Sequence, residues 1–265
     1  MQFGVQTFTI RKAQKKSIRE AYLPLIHLGI KRFEVARIDF NDQNAKALKA
    51  LIDEFGIEIV SVQVKPKHVF GAPEQIISFC KQVGCKNVVI SMLPFECILG
   101  KEEKFYAFLS ALDPMTDVYA KEGITLAYHH HNWEYVKLLC GQTRMQVLLK
   151  ETQKVKIVHD TYWTARCGID PAKQIEEFGN RLLGIHLRDL SFKKKGIKVL
   201  PIDAAIGDGV IDFKSVFASA KQAGCVYYVI EQKTKIPYLC IEKSIGALRA
   251  IQNNAGNEEL SNEQA

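Results

Sequence analysis

The sequence predicts an α/β fold, a (β/α)8 barrel with parallel strands. Strand patterns and helix patterns alternate strictly along the 265 residues, at roughly 30 residues per unit, and strict alternation is typical of a parallel sheet. About eight such units are what this barrel requires. The rival is an open doubly wound sheet, which usually carries a glycine-rich turn after its first strand. The turn Gln6-Thr7-Phe8-Thr9 contains no glycine, so we favour the closed barrel.

The first half of the chain is expected to form four strand–helix units and a fifth strand. Asn41 is a helix cap followed by a helix that ends at Gly56, and Pro114 should break or kink the longest helix. The predicted strands are Phe3–Phe8, Lys31–Ala36, Ile57–Val64, Asn87–Ser91 and Gly123–His131. The predicted helices are Ser17–Leu28, Asn41–Phe55, Pro73–Val83 and Lys101–Glu122.

The second half is expected to complete the barrel. Asp170-Pro171 predicts a helix start, with aspartate as the cap and proline in the first turn. We expect Leu190–Gly209 to be irregular and to cover the mouth of the barrel together with the loop Pro94–Gly100. Strands are predicted at Val155–Asp160, Leu182–Arg188 and Val226–Glu231, and helices at Gln142–Glu151, Asp212–Ala223 and Pro237–Gln252. A single domain should span residues 1–252, followed by a disordered tail over 253–265.

Composition restricts the function classes. The chain has 36 Lys and Arg against 29 Asp and Glu, a net charge of +7, which permits an anionic substrate or nucleic acid but does not argue for either. Its 7 cysteines include no C-x-x-C pair, which favours free thiols in a reducing compartment over a disulfide framework. We see no signal peptide and no apolar run of the ~20 residues that a membrane span needs. A cytoplasmic protein that does not bind a membrane is expected.

Three adjacent histidines, His129 to His131, follow the fifth predicted strand. Because side chains alternate along a strand, Leu126 and Tyr128 should face the helices while Ala127, His129 and His131 face the barrel axis. Active sites of such barrels lie at the carboxyl ends of the strands. This histidine segment is therefore expected at the functional end of the barrel.

The same alternation selects one ionisable residue on each of the last three strands. On strand seven, His186 and Arg188 should face the axis, opposite an apolar face of Leu183, Ile185 and Leu187. Together the four strands offer two imidazoles and two carboxylates: His129, Asp160, His186 and Glu231. This set suits a borderline divalent ion. We favour Mn²⁺, with Zn²⁺, Co²⁺ or Mg²⁺ as alternatives.

Further polar and aromatic residues at the predicted strand ends are candidates for binding a substrate. Gln6 ends the first strand, Glu34 lies near the end of the second, and Arg188 follows the seventh. Trp163 comes three residues after Asp160 and could stack on a substrate ring. These four residues are therefore expected at the mouth of the barrel.

Several motifs, in order along nearly the whole chain, resemble those of the sugar phosphate isomerase/epimerase superfamily, the xylose-isomerase-like TIM barrels. Leu126 to Tyr135 resembles the segment Y-H-N-H-x-x-E-F, with His130 for asparagine and Tyr135 for phenylalanine. The other matching segments are Gly4–Arg11, Asp160–Trp163, Gly168–Pro171, Gly184–Asp189, Ile206–Phe213 and Ile230–Gln232. The resemblance implies that the same four residues hold the metal.

One departure from the superfamily bears on the chemistry. Epimerases of known mechanism in this superfamily carry a glutamate at the position of His129. Compared with them, this chain lacks one negative charge and one candidate base. The run of three histidines is also similar to that of the inosose dehydratases, which eliminate water from a keto-inositol. The resemblance thus implies either an epimerase or isomerase, or a dehydratase.

The leading hypothesis is a metal-dependent enzyme that abstracts a proton next to a metal-bound carbonyl of a sugar derivative. Candidates for the base are Glu134, His131 and Glu231. The resulting enediolate can be reprotonated, giving isomerisation or epimerisation, or can expel a leaving group, giving a lyase acting on a keto-sugar or keto-inositol. The residues leave both outcomes open, and the oligomeric state as well.

Two other function classes remain. The apurinic endonucleases of the same superfamily use several zinc ions, but Trp163 stands where a further histidine ligand would be expected, so we expect no nucleic-acid partner. A non-catalytic sugar-binding barrel is the other alternative. Metal content would discriminate it from an enzyme.

Overall fold

The computed structural model describes residues 1–99 and 101–262, and within them eight parallel strands close into a barrel. These strands are β1 (Phe3–Gln6), β2 (Arg32–Ala36), β3 (Glu58–Val64), β4 (Asn87–Ile90), β5 (Thr125–His129), β6 (Lys156–Asp160), β7 (Leu182–Leu187) and β10 (Tyr227–Ile230). Each strand pairs with its neighbours in the order β1-β10-β7-β6-β5-β4-β3-β2, which closes on itself. The predicted barrel is confirmed, and the open sheet is excluded.

Helices connect the strands and form an outer layer. They are α1 (Arg11–Gln14), α2 (Ile18–His27), α3 (Asp42–Phe55), α4 (Pro66–Gly71), α5 (Pro73–Gln82), α6 (Phe95–Leu99), α7 (Glu102–Ala120), α8 (Arg144–Glu151), α9 (Thr161–Arg166), α10 (Pro171–Phe178), α11 (Phe213–Gln222) and α12 (Pro237–Asn262). Helix α7 continues through Pro114 instead of ending there. Among the described residues, no helix combines the length and apolar character needed to cross a bilayer.

The last helix extends past its predicted end. Helix α12 continues beyond Gln252 to Asn262, so part of the predicted tail is helical backbone. No proline interrupts this stretch, and proline is the strongest local barrier to continuing a helix. Residues 263–265 of the predicted tail lie outside the described residues.

Local sequence explains where several helices begin and end. The Asn41 side chain accepts a hydrogen bond from the Asn44 N–H at the start of α3, and Gly56 ends that helix with φ of 62°. At α10, the Asp170 side chain accepts from the Ala172 N–H, with proline in the first turn. These caps confirm the predicted starts of both helices, and Gly56 confirms the predicted end of α3.

Two separate cores lie on either side of the barrel wall. Leu126 and Tyr128 of β5 belong to the large core between strands and helices, whereas Ala127 belongs to the small core around the axis. The predicted alternation is wrong at Leu183, which packs in the axial core and not on the opposite face of the strand. A register shift lies between β6 and β7, where Ile157 pairs with Leu182 but Val158 pairs with Gly184. The inserted residue resets the alternation, so His186 still faces the axis.

The segment predicted to be irregular is largely a β-hairpin. Strands β8 (Asp189–Lys195) and β9 (Lys198–Ala204) pair antiparallel. The two-residue turn between them begins with Gly196 at φ of 63°, which a glycine adopts at little cost. Basic residues, including the Lys193-Lys194-Lys195 run, are exposed along β8. Composition alone suggests a solvated loop, but the cross-strand pairing organises the segment.

A single buried carboxylate holds the return from this hairpin to the barrel. Asp189 is 1% exposed and accepts hydrogen bonds from the N–H groups of Leu190, Gly207, Gly209 and Ile211. Gly209 has no room for a side chain, because an added Cβ would stand 2.1 Å from an Asp189 oxygen. These bonds fix the position from which the hairpin extends over the mouth.

Candidate active site

The four predicted metal ligands converge at the carboxyl ends of four adjacent strands. One ligand atom from each of His129, Asp160, His186 and Glu231 lies within 4.8 Å of the others, and all four residues are buried. His129 Nε2 is 3.4 Å from Asp160 Oδ2, and His186 Nδ1 is 2.8 Å from Glu231 Oε2. The two imidazole rings lie 4.3 Å apart between centroids. Alternation along the strands brings these side chains together, as expected from the sequence.

The chemistry of this cluster fits a divalent cation. Both ring nitrogens of His129 lack a hydrogen-bond partner among the described residues. The two ring nitrogens of His186 lie 2.7 Å and 2.8 Å from oxygens of Glu34 and Glu231, but neither contact is aligned as a hydrogen bond. Buried polar atoms without partners are costly, and two buried carboxylates need a compensating charge. Two nitrogen and two oxygen donors form a set that suits borderline ions such as Mn²⁺, Zn²⁺ or Co²⁺.

Glu34, predicted to contact substrate, instead lies beneath the cluster. Its Oε1 is 2.7 Å from His186 Nε2, and its Oε2 accepts hydrogen bonds from Ser61 Oγ at 2.6 Å and the Tyr227 hydroxyl at 3.0 Å. Burial disfavours the imidazolium, yet Glu34 and Glu231 raise the pKa of His186 to about 10. A carboxylate behind a ligating histidine fixes the ring orientation and directs its other nitrogen to the metal.

Arg188 connects the cluster to the hairpin. Its guanidinium lies 3.1 Å from Asp160 Oδ2 and 3.6 Å from Glu231 Oε1, and it also pairs with Asp203 on β9. Burial opposes ionisation of Glu231, but Arg188 and His186 lower the pKa of that carboxyl to about 2. Burial likewise opposes ionisation of Asp160, but Arg188 and His129 hold the pKa of that carboxyl well below its usual range, so both carboxylates are ionised at neutral pH.

A cavity of about 440 Å³ opens beside the cluster. Its lining includes His131, Trp163, Arg188, Asp203 and Glu231. The His131 ring lies 4.8 Å from that of His129 and 5.3 Å from Trp163. Burial and the neighbouring His129 lower the pKa of His131 well below its usual range. Its imidazole is therefore neutral, and Nδ1 has no hydrogen-bond partner among the described residues.

The remaining predicted substrate contacts divide into two groups. Arg188 and Trp163 line the cavity. Gln6 does not line it, because its Nε2 donates to Gln63 Oε1 at 2.9 Å and its own Oε1 accepts from the Phe8 N–H. Gln63 is the residue that reaches the cavity. Gln6 thus supports a lining residue and does not face the cavity.

Glu134 does not lie among the residues that line the cavity. It is fully buried, and its carboxylate accepts hydrogen bonds from the Tyr128 hydroxyl and from the His131 N–H at 2.7 Å. Burial raises the pKa of Glu134, although these two hydrogen bonds oppose the change. Because Tyr128 faces the helix layer, Glu134 is drawn to the outer side of the barrel wall. There it fixes the backbone of the histidine segment.

His130 and His159 form a buried pair that residue-by-residue reading of the strands did not assign to the site. His130 Nε2 lies 3.1 Å from His159 Nδ1 and accepts from the Asp160 N–H at 3.1 Å. Burial lowers the pKa of His130 to about 3, so the ring is neutral. The pair ties the end of β5 to the end of β6, beside His129 and Asp160. Alternation could have indicated this arrangement, since both residues follow the outward-facing parity.

Comparison with known proteins places this site in a family. The profile described as xylose isomerase-like TIM barrel matches residues 25–251. An inosose dehydratase of Geobacillus thermodenitrificans (strain NG80-2) is 26% identical over 177 residues, covering 58% of this chain and 56% of that protein. The chain thus matches a little over half the length of this curated relative.

Solved structures share the fold across nearly the whole chain. A sugar phosphate isomerase/epimerase of Parabacteroides distasonis ATCC 8503 has a TM-score of 0.77 at 20% identity, covering 94% of this chain and 93% of that one. The IOLI protein with a binding zinc atom has a TM-score of 0.69 at 15% identity, covering 95% and 98%.

Proposed function

The chain belongs to the xylose isomerase-like TIM barrel family, and we propose that it is a divalent-metal-dependent enzyme that isomerises or epimerises a keto-sugar or related polyol. The observation that carries this proposal is the convergence of four buried ligand atoms within 4.8 Å, beside a cavity of about 440 Å³. A small carbohydrate fits a cavity of this size, since ligand pockets span about 300–1,000 Å³.

His129, Asp160, His186 and Glu231 would hold the ion. We favour Mn²⁺, and a zinc-bound relative of the same fold supports a divalent ion of the borderline class. When bound, such an ion would supply Lewis-acid polarisation of a substrate carbonyl. Glu34 would keep His186 oriented for ligation, and Arg188 would hold both carboxylates in place from the side of the hairpin.

His131 is our candidate for the group that takes the proton from the carbon beside the carbonyl. It is among the residues that line the cavity, and burial keeps its imidazole neutral, so one of its two ring nitrogens has a lone pair to accept the proton. Glu231 also lines the cavity, but His186 and Arg188 stabilise its ionised form and make it a weaker base. Trp163 would stack on the sugar ring and exclude water from this exchange.

A dehydratase is the second candidate, because the curated relatives that match this chain are named inosose dehydratases. Both reactions begin with removal of the same proton, and they differ in the second step. In an isomerase, a protonated His131 returns its proton to a neighbouring carbon. In a dehydratase, the protonated His131 gives its proton to the β-hydroxyl oxygen instead, and that group leaves as water.

Incubating the Mn²⁺-loaded protein with keto-hexoses and keto-inositols in deuterated water tests the function. We expect deuterium to enter one substrate at the carbon beside the carbonyl, as followed by NMR, with either an epimer or an unsaturated product accumulating. The product identifies which candidate is right. Protein that retains its metal and exchanges no deuterium into any member of the panel would instead be a non-catalytic barrel.

Substituting the candidate bases separately tests the assignment of the proton acceptor. His131→Gln should slow deuterium exchange at least ~10²-fold, since general bases typically contribute that much. Glu134→Gln should leave the exchange rate within a few-fold of the native value, because Glu134 does not line the cavity and the glutamine amide keeps an oxygen that can accept from the His131 N–H. Metal content must be unchanged in both variants. The reverse pattern of rates would return the role to Glu134.

A further inference from the structure

A second, larger cavity adjoins the first at the mouth of the barrel. It has a volume of about 670 Å³ and lies over the ends of β1 to β4, whereas the ligands lie on β5, β6, β7 and next to β10. Arg37, Gln63 and Ser91 line both cavities. An elongated molecule can therefore occupy both cavities at once.

Amides are the commonest side chains in the lining of this larger cavity. There are six of them: Gln14, Asn41, Gln43, Asn44, Gln63 and Gln75. Two of these amides bind the protein through their nitrogen. Asn44 Nδ2 donates to the Asp39 carbonyl at 2.7 Å, and Gln75 Nε2 donates to the Phe40 carbonyl at 2.8 Å. The side-chain oxygens of Asn44 and Gln75 thus remain as acceptors without a partner in the described part of the chain.

Two further amides bind the protein through their oxygen instead. Asn41 Oδ1 accepts from the Asn44 N–H at 2.9 Å, and Gln63 Oε1 accepts from Gln6 Nε2 at 2.9 Å. Their NH₂ groups remain as donors without a partner among the described residues. The lining therefore offers two held donors and two held acceptors, and hydroxyl groups, which donate and accept at once, match such a mixture.

The charges of the larger cavity are unbalanced. Besides His68, its ionisable lining consists of three cations, Lys15, Arg37 and Lys65, and one carboxylate, Asp39. None of the three cations forms an ion pair in the part of the chain that the structure describes. They come from the turn after α1 and from the ends of β2 and β3. A ligand with an acidic group would balance part of this surplus of positive charge.

Arg37 is held at the boundary between the two cavities. Its φ is 62°, and among the described residues it is the one non-glycine residue with a positive φ. The carbonyl of Ala36, just before it, accepts from Gln14 Nε2 at 2.7 Å and from the Thr7 hydroxyl at 3.1 Å. A long side chain in this region costs conformational energy, and such strained residues cluster at functional sites.

We propose that the larger cavity binds a hexuronate ring, so that the substrate is an acidic disaccharide with its keto-sugar unit beside the four-ligand cluster. The free amide ends contact the hydroxyls of the uronate, and Arg37 offers parallel donors to its carboxylate, with Lys65 as a second cation. A phosphate has only acceptor oxygens, so it would leave the amide oxygens of Asn44 and Gln75 without donors. The keto-sugar unit rests on the proposed function, whereas the uronate site does not.

Calorimetric titration at low ionic strength tests the site without relying on catalysis. The probes are methyl glucuronide, the neutral methyl glucoside and inorganic phosphate. We expect the metal-loaded protein to bind methyl glucuronide roughly fivefold more tightly than methyl glucoside, because the two differ by one partly exposed charge contact. Equal affinity for the two glycosides, or binding of phosphate alone, would overturn the proposal.

Two variants separate the charge contact from the amide contacts. Lys65→Gln should remove most of the preference for methyl glucuronide and leave the affinity for methyl glucoside unchanged. Gln75→Ala should weaken both glycosides about two- to tenfold, because one hydrogen bond is lost. Lys67→Gln and Gln82→Ala are the matched controls, since both residues are exposed nearby and neither lines the cavity. Native affinities in Lys65→Gln and Gln75→Ala would overturn the proposal.

A third variant distinguishes this cavity from the metal. Binding of methyl glucuronide should persist in Glu231→Gln, which lacks a metal ligand. Loss of binding in that variant would mean that the carboxylate binds the ion, and would overturn the proposal. Binding that depends on Lys65 and Gln75, in a protein that exchanges no deuterium into keto-sugars with or without an attached glucuronate, supports this site and refutes the proposed reaction alone.

Discussion

The two halves of the barrel mouth differ in how their charges are arranged. In the half formed by β5, β6, β7 and β10, the four candidate ligands and Arg188 are buried and lie against one another, with Arg188 between Asp160 and Asp203. In the other half, Lys15 and Lys65 are exposed and form no ion pair with any described carboxylate. Buried charges hold one geometry because moving them would leave a partner unpaired. Exposed cations are held only loosely until a ligand arrives.

The contrast indicates which half can carry chemistry. A reaction needs its groups positioned within a fraction of an ångström. The half formed by β5, β6, β7 and β10 meets this need, because Glu34 fixes His186 and Glu134 fixes the backbone of His131. Recognition of a charged group does not need such precise positioning, because electrostatic attraction acts over several ångströms. The half that contains Lys15 and Lys65 is therefore sufficient for it. Substitutions in each half can test this division.

Asp160→Ala should remove nearly all of the metal from the half of the mouth formed by β5, β6, β7 and β10. The substitution leaves His129 without its neighbouring carboxylate and Arg188 facing the remaining ligands, so repulsion replaces attraction at the ion. Elemental analysis of purified protein should find less than about a tenth of the native metal content, as expected when a charged ligand is lost.

Asp170→Ala is the matched control for that substitution. Asp170 caps α10 away from the cluster by accepting from the Ala172 N–H at 2.9 Å. Its loss should lower the free energy of unfolding by about 1 kcal/mol and leave the metal content unchanged. Full metal occupancy in Asp160→Ala would contradict the assignment of the ligands.

Glu34→Gln should weaken metal binding without abolishing it, because Glu34 touches a ligand and does not line the cavity itself. Loss of such a partner typically lowers metal affinity about 10- to 100-fold. Competition with a chelator measures the change. Glu58→Gln, which removes an ion pair with Arg32 at the other end of the barrel, should have no effect on metal affinity. If Glu34→Gln binds the metal as tightly as the native protein does, the buried contact between Glu34 and His186 does not support the metal site.

Arg37→Gly should stabilise the protein, although it removes a cation from the half of the mouth that contains Lys15 and Lys65. Glycine adopts a positive φ without strain, so we expect the free energy of unfolding to rise by up to about 1 kcal/mol. Arg37→Gln removes the same charge but keeps a Cβ at φ of 62°, and should bring no such gain. Urea unfolding of both variants measures the difference. If neither variant is more stable than the native protein, the backbone at Arg37 is not strained.

The site residues predicted from strand alternation were mostly placed correctly, whereas the one predicted from spacing along the chain was not. Strand alternation predicted the facing of His129, Asp160, His186 and Glu231 correctly, because parallel strands bring their carboxyl ends to one rim. The same reasoning failed at Leu183, where a register shift between strands resets the alternation. Spacing along the chain also suggested Glu134 as a base, but the Tyr128 hydroxyl holds it on the outer side of the wall.

The amino-acid sequence was sufficient to predict the closed barrel, most of its helix boundaries and the four converging ligands, because these depend on local periodicity, capping residues and alternation. The folded chain was needed to establish that Glu34 supports His186, that the 190–209 region pairs as a hairpin, and that three cations from separate loops line one cavity. The first and third depend on contacts between residues far apart in the chain, and the second on pairing across a short turn. Alternation predicts which face of a strand a side chain takes but not which partner it meets there, so only packing of the whole barrel settles these contacts.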